Sequence, residues 1–250
     1  MRLPNAIIAG VQKGGTDAAV KNLNLHPNVF FVREPHFFDK SWDKGVAWYK
    51  EIITNAAKEA GKEGVKILGD KTPSYSYMLQ WHETMHNVCP DAKIILFLRN
   101  PVDRAYSNYN FYRNAWKEYY GKYSFEEIIK WEKETQWGKQ RDGWNIHFQA
   151  IQRGFYCEQI ESLLQFFPRE QLYVAIMERV WKNPEEEYGK IFDFLGVSRL
   201  SLPFDMGNIN STDYIQEMDP ATRQQLEALY MPYNERLFSF LGDRVWESSL

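Results

Sequence analysis

The chain has 250 residues, 44% of them hydrophobic and 25% charged, a balance that suits one α/β domain over residues 1–250 rather than a disordered or fibrous protein. A net charge of −3 and an isoelectric point near 6.0 argue against nucleic acid as a partner and, more weakly, against a highly sulfated polyanion as an acceptor. The sequence opens almost directly on a strand pattern, holds no apolar run of membrane-spanning length, and carries 2 cysteines, Cys89 and Cys157. The expectation is a cytoplasmic protein without a membrane partner, its two thiols reduced and packed.

Five short apolar runs, residues 6–9, 29–32, 65–68, 94–98 and 172–176, predict buried strands. Their unbroken hydrophobicity fits a central, mostly parallel sheet flanked by helices on both faces. Helical patterns alternate with them. Residues 17–25 predict a first helix, ending at His26-Pro27-Asn28. Trp48, Tyr49, Ile52, Ile53 and Ala56 recur along one helix face. Ser124 with Glu127 forms a capping box that opens a helix toward Trp137. Asn183 before Pro184 caps another, which turns Tyr188, Ile191, Phe192 and Leu195 inward and stops at Gly196. A last helix from about Pro220 carries Leu226, Leu229, Tyr230, Tyr233 and Leu237 on one side. Alternating strand and helix gives an α/β fold, in which ligands sit at the carboxyl ends of the strands.

Each candidate site residue follows one of those strands. After the first comes Gln12-Lys13-Gly14-Gly15-Thr16. The glycines let backbone N–H groups close on a phosphate, Lys13 adds a full positive charge, and Thr16 offers a hydroxyl at a helix N-terminus. The lysine precedes the glycines, so this is not a Walker A loop. After the second strand, Glu34 and His36 stand two residues apart and point the same way if the segment is extended. Such a pair suits removal of a proton from a hydroxyl or amine; a solvated surface turn is the other reading. Asp70-Lys71-Thr72-Pro73 follows the third strand as a loop, because Pro73 holds its predecessor extended. Lys71 either projects into the cleft or is a solvated surface lysine. After the fourth strand, Arg99 is placed for bidentate phosphate binding, and Ser107 lies two helical turns beyond Asn100. Ion pairing of Arg99 or Arg104 with Asp103 is the alternative.

Taken in order, Gly-Val-Gln-Lys-Gly-Gly-Thr, Glu-Pro-His-Phe-Phe-Asp, Asp-Lys-Thr-Pro-Ser-Tyr and Leu-Arg-Asn-Pro-Val-Asp-Arg-Ala-Tyr-Ser-Asn-Tyr resemble the sulfotransferases that use 3′-phosphoadenosine 5′-phosphosulfate (PAPS). The likeness is greatest to the heparan sulfate 3-O- and N-sulfotransferase type. It is strong over residues 7–107 and looser through Arg153-Gly154-Phe155-Tyr156, Phe166-Phe167-Pro168 and Asn234-Glu235-Arg236-Leu237-Phe238. The resemblance implies a P-loop-like sulfotransferase fold and in-line transfer of a sulfuryl group from PAPS to a hydroxyl, less often an amine. The acceptor would be a glycan or small molecule, the co-product adenosine 3′,5′-bisphosphate, and no metal is implied. By the same resemblance, Lys13 to Thr16 bind the 5′-phosphosulfate, Gln12 belongs to the cofactor site, and Arg99 with Ser107 holds the 3′-phosphate. Glu34 is the base, His36 supports positioning, and Lys71 is directed at the phosphosulfate and the acceptor. Lys13 and Lys71 then stabilise charge growing on the leaving phosphate.

Two departures stand out. Asp17 occupies a position where the 3-O-sulfotransferases have arginine, and residues 207–211, Gly-Asn-Ile-Asn-Ser, replace a basic Gly-Lys-x-x-Arg loop near a disulfide in the animal enzymes. Residues 110–144, aromatic and of mixed charge, are expected to shape the acceptor site.

Competing readings come from other segments. His82-Glu83-Thr84-Met85-His86 matches H-E-x-x-H, the helical zinc site of many metallopeptidases, with Glu83 as the would-be base. It lacks a third histidine at metzincin spacing and lies between the third and fourth strands. His26 and His147 read as turn or surface residues. A P-loop kinase would share the strand, glycine and helix opening but needs a Walker lysine and a Mg²⁺-holding acid. A non-catalytic nucleotide-binding module would leave Glu34 and His36 without a task.

Overall fold

A computed structural model of the chain describes residues 1–135, 149–205, 214 and 216–246. Five strands run β1 Ala6–Gly10, β2 Val29–Arg33, β3 Ile67–Lys71, β4 Lys93–Leu98 and β5 Leu172–Ile176. They form one sheet of order β2-β3-β1-β4-β5, and every pairing is parallel. The principal helices are α1 Thr16–Leu23, α2 Phe37–Lys40, α3 Gly45–Glu59, α4 His82–Val88, α5 Pro101–Ala115, α6 Lys117–Tyr120, α7 Phe125–Thr135, α8 Tyr156–Leu164, α9 Met177–Lys182, α10 Pro184–Leu195 and α11 Pro220–Leu241. None of the described helices is long and apolar enough to cross a membrane.

Contacts divide the chain into two compact units, Met1–Leu98 with Glu161–Ile209 and Arg99–Ile160 with Asn210–Leu250. The first holds the whole sheet. Ile8, Phe31, Ile95 and Phe97 pack there with Leu23 of α1 and Tyr188, Ile191 and Phe192 of α10 in one buried cluster. Continuous burial of β1, β3 and most of β4 explains why those strands lack alternation. The chain places β3 and β4 on opposite sides of β1, so the segment leaving β1 sits at a topological switch point, where ligands of open α/β sheets bind.

The second unit is built on α5, α7 and α11. Val102, Tyr106, Tyr109, Phe125, Ile128, Leu226 and Tyr230 form its buried core. The Ser124 capping box is present: Ser124 N donates to Glu127 Oε2 at 2.7 Å and Glu127 N to Ser124 Oγ at 3.2 Å. Trp137 and His147 lie outside the described residues, as do residues 207–211 and the later part of 110–144.

Three expectations are corrected. The third strand starts two residues later than predicted and runs to Lys71, taking in Asp70. That polar end is tolerated because Asp70, fully buried, accepts from Tyr49 Oη (2.6 Å), Thr72 Oγ1 (2.8 Å) and Tyr75 Oη (3.1 Å). Burial still pushes its carboxyl up to about 6. Asn183 gives α10 no side-chain cap; Pro184 at the first turn and Gly196 in the left-handed region mark its ends instead. His26 lies in the turn after α1 as expected but is not at the surface, being 1% exposed, with Nε2 3.0 Å from Ser198 O and Nδ1 accepting from Asn28 N. Cys89 and Cys157 are free and buried.

Candidate active site

The loop from β1 into α1 is shaped by its glycines. A Cβ at Gly14 would stand 2.2 Å from Phe97 O, on β4, so the chain passes too close to its neighbour for any side chain. Gly15 has φ +82° and precedes α1 without a side-chain cap. The first-turn N–H groups of α1 therefore face the loop, with the positive end of the helix dipole behind them. Thr16 is buried, while Gln12 and Lys13 are half-buried. These residues fit a phosphate group.

Among the described residues, the non-glycine positions with positive φ are Lys13 (65°), Glu34 (51°) and His36 (51°). All three are catalytic candidates on sequence grounds. Left-handed backbone costs an L-residue roughly 1–3 kcal/mol where the surroundings hold it. The surroundings here do so: Glu34 N donates to Lys71 O at 2.7 Å, and Phe37 N to Tyr75 Oη at 2.8 Å. The extended segment expected for Glu34-Pro35-His36 is thus replaced by two left-handed residues around a proline. The carboxylate and imidazole still meet, through a turn rather than through strand alternation.

Lys71 is the hub of this cluster. Its side chain is 0% exposed, so the solvated reading is wrong. Its Nζ donates to Glu34 Oε1 and Asp17 Oδ1, both at 2.8 Å. Asp17 Oδ1 also accepts from Arg33 Nη2 at 2.6 Å. Glu34 Oε2 lies 3.5 Å from His36 Nε2. The other imidazole nitrogen, Nδ1, is 2.9 Å from Asp39 Oδ2, which accepts from Ser74 Oγ at 2.5 Å. The result is a line of alternating charge, Arg33, Asp17, Lys71, Glu34, His36, Asp39, at the carboxyl ends of β2 and β3.

Neighbours set the protonation states. The hydrogen bond from His36, with that from Lys71, outweighs burial and lowers the Glu34 carboxyl to about 2. For His36, burial opposes the charge, but Asp39 and Glu34 raise the imidazole to about 9. Asp17 is also lowered: its burial works the other way, and Lys71 and Arg33 prevail. At neutral pH these shifts favour an ionised Glu34 and a protonated His36.

Sequence reasoning missed Asp17, Arg33 and Asp39 as members of this line. Asp39 carried a signal, since His36 and Asp39 are spaced i, i+3 at the opening of α2. Arg33 and Asp17 depended on strand register and helix docking, which no local pattern reports.

Arg99 and Ser107 belong to the second unit. Arg99 follows β4 directly, and its carbonyl accepts from Tyr156 Oη at 2.8 Å. Asn100 caps α5, accepting from Val102 N at 3.0 Å, and Ser107 is buried two turns along that helix. Asp103 pairs with Arg223 at 2.5 Å, not with Arg99 or with the fully buried Arg104.

The metallopeptidase reading fails on geometry. His82 is buried, with Nδ1 2.8 Å from Ser162 Oγ and Nε2 3.0 Å from Tyr75 O, so both ring nitrogens are already engaged. His86 packs edge-on against Phe167. Among the described residues no group of three or more His, Cys, Asp or Glu is placed to hold a metal ion.

The parallel sheet carries a glycine-bent loop at its switch point and a carboxylate–lysine–imidazole cluster beside it, an arrangement suited to group transfer. Residues 3–229 match the sulfotransferase domain family, and the chain belongs to that family: it is a sulfotransferase. It is 30% identical to heparan sulfate glucosamine 3-O-sulfotransferase 6 of Mus musculus, over 98% of this chain and 74% of that protein. It is 31% identical to heparan sulfate glucosamine 3-O-sulfotransferase 3B1 of Homo sapiens, over 98% of this chain and 65% of that one. Among solved structures, a sulfotransferase from Alicyclobacillus acidocaldarius superposes with a TM-score of 0.74 at 28% identity, over 97% of each chain. Neither the kinase nor the metallopeptidase reading draws support from these matches.

Proposed function

We propose that the protein transfers a sulfuryl group from PAPS to a hydroxyl of a glycan acceptor. The observation that carries this reading is the Glu34 carboxylate, ionised and tied to Lys71 and His36, next to a loop fitted for phosphate. The acceptor oxygen attacks sulfur while the bond from sulfur to the 5′-phosphate oxygen breaks. Glu34 takes the acceptor's proton, and adenosine 3′,5′-bisphosphate leaves with the electron pair. Lys13, Lys71 and the first-turn amides of α1 offset the charge arriving on the leaving phosphate. His36, held as a cation by Asp39, orients Glu34. Arg99 and Ser107 are assigned to the 3′-phosphate by the family resemblance. The glycan class rests on the heparan sulfate relatives.

The test is ³⁵S-PAPS with a panel of acceptors: heparan sulfate oligosaccharides, unsulfated N-acetylheparosan oligosaccharides, neutral N-acetylglucosamine oligomers and 4-nitrophenol. Transfer to a saccharide hydroxyl, located by mass spectrometry, is the expected result. Label passing only to the phenol would replace the glycan class, and label passing to none would refute the reading.

A further inference from the structure

Lys71 is a fully buried ammonium shared by two carboxylates that come from different elements. Glu34 follows β2 directly, whereas Asp17 is the second residue of α1 and so sits against the 13–16 loop. The reaction needs Lys71 near the phosphosulfate end of the site, yet an undivided pair with Glu34 would hold it on the base instead. An ammonium carries three donors, and a second carboxylate on the loop side draws it there. Asp17 is the group in that position. Its second donor, Arg33, stands opposite Lys71 in the sheet register, so the carboxylate is fixed from two sides.

Resting on the sulfotransferase reading above, we infer that Asp17 is a positioning residue for sulfuryl transfer: its carboxylate holds the Lys71 ammonium at the N-terminal end of α1 and keeps it from pairing undividedly with Glu34. Two simpler roles give different expectations. As a mere burial partner for Lys71, Asp17 would affect stability and leave turnover of the folded enzyme unchanged. As part of the donor site, it would affect nucleotide affinity. A carboxylate beside an anion loop repels phosphate, so a positioning Asp17 acts on kcat while slightly opposing donor binding.

The experiment compares wild type, Asp17→Asn and Asp17→Glu at saturating PAPS, with the panel acceptor that wild type sulfates fastest, and measures adenosine 3′,5′-bisphosphate affinity by calorimetry. Asp17→Asn should lower kcat by about 10- to 100-fold, less than the 10²–10³ of deleting a stabilising donor outright, while the bisphosphate Kd stays the same or tightens. Asp17→Glu restores the charge one methylene further out, and its kcat should fall between the other two. Should Asp17→Asn not fold, Asp17→Glu carries the test, since it still neutralises Lys71. A wild-type kcat in either folded variant overturns the inference, as does bisphosphate binding weakened more than tenfold by Asp17→Asn. A wild type that sulfates no panel member refutes the proposed acceptor class rather than the positioning role, and the bisphosphate affinities of the variants still separate Asp17 from the donor site.

Discussion

Arg33 and Lys71 face each other in register on β2 and β3, and both donate to the same oxygen of Asp17. One carboxylate from α1 thereby ties together the carboxyl ends of two strands, and Lys71 continues the tie to Glu34. The site's precision comes from this arrangement of opposite charges around a lysine that is buried from water.

Protonation of His36 gives a direct prediction. Its folded-state value of about 9 lies above the ordinary 6.5, so the stability it contributes is fully present below about pH 6.5 and is lost as pH rises through about 9. An NMR titration of the imidazole should show it protonated at pH 7 with a midpoint near 9. A midpoint near 6.5 would contradict the ion pairs with Asp39 and Glu34.

Replacing Arg99 with alanine should cost about 1.5–3 kcal/mol of adenosine 3′,5′-bisphosphate affinity, the usual worth of a charged hydrogen bond. Binding of AMP should not change. If wild type binds the bisphosphate and AMP equally in calorimetry, Arg99 and Ser107 have no 3′-phosphate role.

At Gly14 a methyl group meets backbone first, Phe97 O at 2.2 Å, which cannot move aside as a flexible side chain could. Gly14→Ala should therefore destabilise the fold by about 1–3 kcal/mol, typical of overpacking, and weaken bisphosphate binding because the loop must shift. Thermal denaturation and calorimetry read the two effects; an unchanged affinity would separate the loop from the nucleotide.

His82→Ala removes one buried and one part-buried hydrogen bond and should cost about 1–3 kcal/mol in stability. If lysine side chains and helix amides meet the charge on the leaving phosphate, as proposed, sulfuryl transfer should survive EDTA. Stoichiometric zinc in the purified protein, with activity lost on changing His82 or His86, would restore the metal reading.

Much of the fold was legible in the chain because its physics is local. Ile94, Ile95, Leu96, Phe97 and Leu98 can only be a covered strand, and Ser124 with Glu127 can cap a helix without help from elsewhere. The end of β3 was misread because Asp70 and Lys71 look like loop until Tyr49, Tyr75, Asp17 and Glu34 are brought around them. Asp17 and Lys71 are 54 residues apart, and only the docking of α1 onto the sheet joins them. The backbone of Glu34 and His36 was illegible for another reason: neither residue type announces a left-handed conformation, which the surrounding hydrogen bonds impose.

Whether Glu34 or His36 takes the acceptor's proton is decided by single-turnover transfer at saturating PAPS. Glu34→Gln keeps the shape and reach of the side chain but cannot accept the proton. Its rate should fall by roughly 10²–10⁴, the usual worth of general-base catalysis, with bisphosphate affinity nearly unchanged. His36→Ala should reduce the rate less if the imidazolium only orients the carboxylate. A nearly normal rate for Glu34→Gln together with a collapsed rate for His36→Ala would overturn the assignment and make the imidazole the base.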